Sequence, residues 1–296
     1  MDQKSSEKKQ TVSISISAHH DEKTIESTID YALKQECSSF NLEAIIIFLD
    51  NPNEATEHIV RKYASKEKVI TVLESKEGVG IARGFELSVA SVESEIIIRL
   101  DADVIVLSEN LFNDMVFKIK QGNDLVGCRY KHSYTPKSFL RTLDAYSFDA
   151  WSEAKDIAGE KAETYKIIGC CVAFSKRLYK ELRFCNQASK EYDAYFTLRT
   201  KELGYAIGFA DGYCTTQESI DSIGSLVRRY ARYRSYQCKS CFSKEFFKKH
   251  RPNLLKEFIY TYFKYLIKKP LHMFFYGILL MYTTFYMKVK KSSSTW

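Results

Sequence analysis

Apolar and polar positions alternate from Thr11 to Ser17, where Val12, Ile14 and Ile16 are separated by Ser, and this period of two predicts a first strand. A polar loop follows at His19-His20-Asp21-Glu22, and Thr24 is placed to cap a helix running through Leu33. Leu42 to Leu49 predicts a second buried strand ending at Asp50, and Asn51-Pro52-Asn53 a turn. A helix over Glu54 to Ser65, a short strand over Val69 to Leu73 and a helix over Ile81 to Ser91, opened by Gly78-Val79-Gly80, come next. Ile96 to Val104 is a run of β-branched residues and predicts the central strand. Beyond it the pattern predicts a helix over Asn110 to Gln121 and a strand over Asp124 to Tyr130. Aromatic and charged residues at helical spacing over Tyr134 to Ala162 are expected to cover the site, and Ile167 to Phe174 is apolar. A helix over Glu191 to Gly204, stopped at Leu203-Gly204-Tyr205, a strand over Ala206 to Cys214 and a basic, Tyr-rich helix over Ser222 to Tyr236 complete the series. Alternating strands and helices without an internal repeat predict an α/β fold built on a mostly parallel sheet.

The central strand ends in Asp101-Ala102-Asp103. On an extended backbone this i, i+2 spacing puts both carboxylates on one face, with Cα atoms roughly 6–7 Å apart. Open α/β sheets bind ligands at the carboxyl ends of their strands, and hard divalent cations take oxygen ligands. The pair reads either as a metal–diphosphate site or as two solvated acids ending a strand.

Composition narrows the setting. The chain has 296 residues, 45% of them hydrophobic, and only four prolines, so it can build a large core without a long linker. The polar stretch Met1 to Gln10 reads as a leader with no apolar signal, and the eight cysteines are irregularly spaced. Free thiols in a reducing, cytosolic setting are expected. Cys238 and Cys241 form a lone CxxC, a weak zinc signal, and Cys170-Cys171 read as small buried residues. His19 and His20, adjacent at a strand end, are expected to point to opposite sides and not to share a metal.

Net charge is +7, but it is unevenly spread. From Leu226 onward there are sixteen Lys/Arg and two Asp/Glu, a net of +14, which leaves −7 for the first 225 residues. The boundaries read from this are a leader at 1–10, a catalytic domain at 11–225 and a basic, aromatic helical tail at 226–296. Leu271 to Met287 carries no formal charge, is short for a bilayer span and is flanked by lysines on both sides. With the amphipathic Phe258 to Ile267 it predicts helices lying on an anionic membrane surface, or else a pair of helices packed on the domain. The same tail could bind nucleic acid, but the uncharged aromatic run favours membrane, and no nucleic-acid partner is expected.

Taken together the segments resemble family-two glycosyltransferases of the GT-A fold, from Val12 to Tyr236. Ile16-Ser17-Ala18-His19-His20-Asp21-Glu22 stands where the family has Pro-Ala-Tyr-Asn-Glu-Glu after its first strand, and Leu49-Asp50-Asn51 where it has Val-Asp-Asp-Gly-Ser. Gly78, Ala82 and Arg83 match its Gly-x-x-x-Ala-Arg segment, and Asp101-Ala102-Asp103 its Asp-x-Asp motif. Tyr192-Asp193, twelve residues before Gly204, falls on its Glu-Asp pair, and Arg229-Tyr230-Ala231-Arg232-Tyr233 is similar to Gln-x-x-Arg-Trp. The resemblance implies a nucleotide-diphosphate sugar donor, a divalent metal (Mg2+ or Mn2+) and inversion at the anomeric carbon. It implies Asp103 as metal ligand, with Asp101 contacting metal or ribose. Ala18, Asp21, Asp50, Arg83 and Arg232 would contact the nucleotide sugar, and Arg229 is a further candidate at the diphosphate. Asp193 would be the general base. Two departures stand out. Tyr192 replaces the family's Glu, and Tyr213-Cys214-Thr215-Thr216-Gln217 lacks the late His that ligates metal in many members. The acceptor is expected to be a glycan or lipid-linked hydroxyl at the cytoplasmic face of a membrane. A nucleotidyltransferase of related fold, and a non-catalytic membrane-bound nucleotide-binding module, remain open alternatives.

Overall fold

The computed structural model describes residues 9–131, 138–163, 167–182, 192–216, 222–233, 237–251 and 253–291. The chain divides into two units. The first comprises Met1–Lys131, Ile167–Ser189 and Arg199–Gln217, and the second His132–Lys166, Lys190–Leu198 and Glu218–Trp296.

The first unit holds an eight-stranded sheet of order β3-β2-β1-β4-β7-β6-β8-β5. Its strands are β1 Gln10–Ala18, β2 Phe40–Asp50, β3 Ile70–Ser75, β4 Ile96–Asp101, β5 Val104–Val106, β6 Leu125–Tyr130, β7 Cys171–Ser175 and β8 Ile207–Thr216. Helices α1 Ile25–Lys34, α2 Glu54–Lys66, α3 Ile81–Ala90, α4 Leu111–Lys120 and α6 Lys176–Glu181 connect them. The first four strands in space, β3-β2-β1-β4, pair in parallel. The sheet then reverses: β7 lies antiparallel to both β4 and β6, and β5 antiparallel to β8. Both faces of β1 are covered. Ser13 and Ser15 are as buried as Val12 and Ile14, and Ser13 Oγ meets Ser94 Oγ at 2.6 Å. The Ile/Ser alternation therefore marks a strand between two covered faces, as parallel sheets require.

Two local expectations are corrected. The run from Ile96 to Val104 is not one strand: β4 stops at Asp101, Ala102 and Asp103 form a turn, and β5 resumes at Val104. Thr24 sits at the start of α1 but its side chain does not cap it; Thr24 Oγ donates instead to Asp21 O, which also accepts the N–H groups of Thr24 and Ile25. The cap on α2 is made by Asn53, whose side-chain oxygen accepts from Thr56 N at 2.8 Å.

The second unit is helical: α5 Phe139–Ala158, a 3-10 turn at Gly159–Ala162, α8 Ile223–Tyr233, a second 3-10 turn at Gln237–Cys241, α9 Lys244–His250, α10 Leu255–Lys268 and α11 Pro270–Lys291. Helix α7, Tyr192–Glu202, belongs to this unit as far as Leu198. Its own core joins Leu143, Ala150, Leu226, Tyr230, Phe258 and Tyr276. Trp151 stacks on Phe258, with ring centroids 4.1 Å apart, and donates to the Tyr276 hydroxyl at 2.9 Å. The aromatic stretch after Tyr134 thus forms a helix that packs within this unit.

Candidate active site

Three parallel strands end side by side. Ser17 of β1 is in register with Asp101 of β4, and Ala18 with Leu49 of β2, so the loops after Ala18, Asp50 and Asp101 share one sheet edge. The Asp21 carboxyl is held above the ordinary carboxylate range, first by burial, with the negative charge of Asp101 adding to it against the His19 backbone N–H. Asp21 and Asp101 therefore lie within electrostatic reach of each other. Asp101 and Asp103 both act on the buried Cys170 thiol in the same way. Among the sequence candidates, Ala18, Asp21, Asp50, Asp101 and Asp103 meet at this edge.

Each carboxylate is held by something specific. Asp50 accepts from the backbone N–H groups of Val79 (2.6 Å) and Gly80 (2.8 Å), so it fixes the loop that opens α3. Gly78 and Gly80 have φ of +67° and +80°, which admits little but glycine there. Gly84, one turn into α3, lies against Phe48, whose ring a Cβ would meet at 2.7 Å. Arg83 sits in the same first turn, largely exposed, paired with Glu86 at 2.7 Å. Asp21 accepts from His19 N at 2.7 Å, and its own N–H donates to Thr56 Oγ at 2.9 Å. The chain bends after Ala18, so His19 and His20 do not point apart; their rings stack at 3.9 Å, and His19 Nδ1 lies 2.5 Å from Asp50 O.

Asp101 has a partner that the apolar run conceals. Arg99, 0% exposed, donates through Nη2 to Asp101 Oδ1 at 2.5 Å and through Nη1 to Gly169 O. A guanidinium is the cation best suited to such a buried position. The turn carrying Asp103 is pinned from α1: buried Thr28 Oγ lies 2.9 Å from Ala102 O and 3.0 Å from Val104 O and donates to these carbonyls.

Behind the turn lie four buried cysteines, Cys128, Cys171 and Cys214 on β6, β7 and β8 and Cys170 in the turn that leads into β7. Cys128 Sγ is 3.3 Å and Cys170 Sγ 3.8 Å from Cys214 Sγ, and Cys128 also meets Cys171 O. Contact with Cys171 and burial push the Cys128 thiol up, and contact with Cys214 and burial do the same to Cys170. These four and Cys37 are free thiols, as expected, whereas Cys241 is disulfide-bonded.

The remaining candidates fall in the second unit. Asp193 lies in the first turn of α7, where its carboxylate accepts from Ala194 N at 2.7 Å and its carbonyl from Thr197 Oγ. Tyr192 packs edge-on against Phe196. Arg229 is tied to Asp144 at 2.9 Å inside the helical core. The side chain of Arg232 and all of Gln217 lie outside the described residues.

The donor set suits a hard cation: carboxylate oxygens with no thiol or imidazole in the turn itself. Among the described residues no cluster of three or more metal-ligating side chains is present.

A parallel half-sheet ending in carboxylates, followed by a reversed strand beside the central one, is the GT-A arrangement of nucleotide-sugar transferases. The mannosyltransferase PcManGT from Pyrobaculum calidifontis, solved with GDP-Man and Mn2+, is similar at 16% identity with a TM-score of 0.63, over 95% of this chain and 85% of its own. Glucosyl-3-phosphoglycerate synthase from Mycobacterium tuberculosis, solved with Mn2+ and UDP-Glc, is similar at 16% identity with a TM-score of 0.55, over 78% of each chain. The same enzyme with Mg2+ and UDP gives 18% identity and a TM-score of 0.53, over 77% of this chain and 79% of its own. No curated protein matches by sequence. The chain belongs to glycosyl transferase family 2, whose model matches residues 13–183, and it is a glycosyltransferase.

Proposed function

We propose that this enzyme moves a sugar from a nucleotide-diphosphate donor to an acceptor hydroxyl with inversion, assisted by Mg2+ or Mn2+. The observation that carries this reading is the convergence of Asp21, Asp50, Asp101 and Asp103 at one edge of the parallel strands. Asp103 and Asp101 would hold the cation, with Arg99 fixing Asp101. When bound, the cation neutralises charge developing on the departing diphosphate. The loop held by Asp50, with Ala18, Asp21 and Arg83, would frame the nucleotide. Asp193 would take the acceptor hydroxyl proton as that oxygen bonds to the anomeric carbon. The bond from this carbon to the diphosphate oxygen breaks, and the electron pair leaves with the diphosphate, beside which Arg232 would stand.

Thermal shift with a panel of nucleoside diphosphates and their sugars, with and without Mn2+ or Mg2+, tests this reading. A shift requiring both metal and nucleotide, and lost in Asp103→Asn, is expected. No shift with any pair, or the same shift in Asp103→Asn, defeats it. Product analysis separates the rival chemistry, since a nucleotidyltransferase releases pyrophosphate and this enzyme a nucleoside diphosphate.

A further inference from the structure

The last two helices carry apolar residues on two sides. On one side Met273, Tyr276 and Leu279 of α11 and Phe258 of α10 are buried in the core of the helical unit. On the other, α10 exposes Leu255, Ile259, Phe263 and Ile267, spaced four apart, with Ile267 at 85% exposure. Helix α11 exposes Leu271, Phe274, Ile278, Met281 and Phe285 at spacings of three and four, with Met281 at 68%. Single exposed apolar residues are ordinary, but continuous stripes of this length mark a surface made to be covered.

Charge indicates the covering. Lys256, Lys268 and Lys269 are exposed beside the stripes, and Lys288, Lys290 and Lys291 follow them in sequence. Between Lys244 and Lys291 there are eleven Lys/Arg against Glu245 and Glu257. A second copy of this chain seated face to face would bring lysine rims against each other, which is repulsive. A layer of negative headgroups over acyl chains matches both the rim and the stripe. Among the described residues no helix is long and apolar enough to cross a membrane. We propose that α10 and α11 lie in the plane of an anionic bilayer surface, with these stripes inserted among the acyl chains and the lysines at the headgroups. The proposal stands apart from the catalytic reading, since none of these residues is at the strand-end site.

Co-sedimentation of the full chain with phosphatidylcholine vesicles, with and without phosphatidylglycerol, tests it. The wild type is expected to pellet with the anionic vesicles and to release at high salt. Phe274→Glu/Ile278→Glu, both at exposed positions, is expected to lower partitioning about 100-fold. Its melting temperature and its nucleotide-dependent thermal shift should stay unchanged, which separates this result from failure of the catalytic assignment. Equal pelleting of wild type and variant, or no pelleting of the wild type, overturns the proposal. So does a wild-type dimer that the same variant converts to monomer without any vesicle binding.

Discussion

Arg99 holds Asp101, the acid that ends β4. It is fully buried, and its guanidinium ties Asp101 to the backbone at Gly169. Arg99→Met is expected to lower kcat by about 10- to 100-fold, the usual cost of losing a group that orients a metal ligand. The same variant should bind free Mn2+ more tightly, because a positive charge has left the cluster, and Arg99→Lys should recover part of kcat. A purely structural role would lower melting temperature without this split. Asp193→Asn is expected to reduce turnover by about 100- to 10,000-fold while leaving the donor's thermal shift intact, as loss of a general base requires. Asp124 offers a pH test. It is 1% exposed, and although burial opposes its charge, Arg177, Ser175 and the Ala206 N–H hold its carboxyl below the usual range. A depressed folded value means that its stabilisation is present above the ordinary carboxylate pKa of about 3.9 and lost as pH falls through the folded value. Melts of Asp124→Asn should converge on the wild type in acid and fall below it near neutrality. Arg99 was legible in principle: residues two apart on a strand share a face, so Arg99 and Asp101 point the same way. The surrounding isoleucines masked it, because the pattern of burial was stronger than the single charge within it.

At the scale of elements, the strand-end motifs could be read because they are local. The strand before Ala18, the strand ending at Asp50 and the glycine loop before α3 all lie within a few residues of where periodicity places them. Asp50 was legible as a strand-end acid but not as the clamp on Val79 and Gly80, since that contact spans about thirty residues of chain. The reversal of β7, the break between β4 and β5, and the short α6 were not legible either. Strand direction is settled by pairing with distant partners, here β7 with β4 and β6. Thr28 is another such contact, a helix residue that reaches the turn 74 positions away. Thr28→Val keeps the shape and removes the donor. It is expected to cost about 1–2 kcal/mol in denaturant unfolding and to weaken the metal-dependent thermal shift. An unchanged shift would mean that the turn holds its form without α1.

Over the whole molecule, each unit has a hydrophobic core of its own: one spans the sheet with α1 and α4, the other joins α5, α8, α10 and α11. Calorimetry is therefore expected to resolve two unfolding steps. Because Asp21, Asp50, Asp101 and Asp103 all belong to the unit with the sheet, donor plus metal should raise that step more than the other. A single transition that moves as a whole would mean that the two cores unfold together. The charge map was legible from composition, whereas which lysines stand beside apolar stripes needed the helices in place.

The guanidinium beside Asp101 also bears on the sequence of events at the start of each catalytic cycle. With one carboxylate already neutralised from within, the turn holds less negative charge than its acids suggest, and it should attract a lone ion only weakly. Ion and donor would then enter in one step as a preassembled complex rather than one after the other. Titration calorimetry with Mn2+ alone should be nearly silent, and the heat should appear only once a nucleoside diphosphate is in the cell.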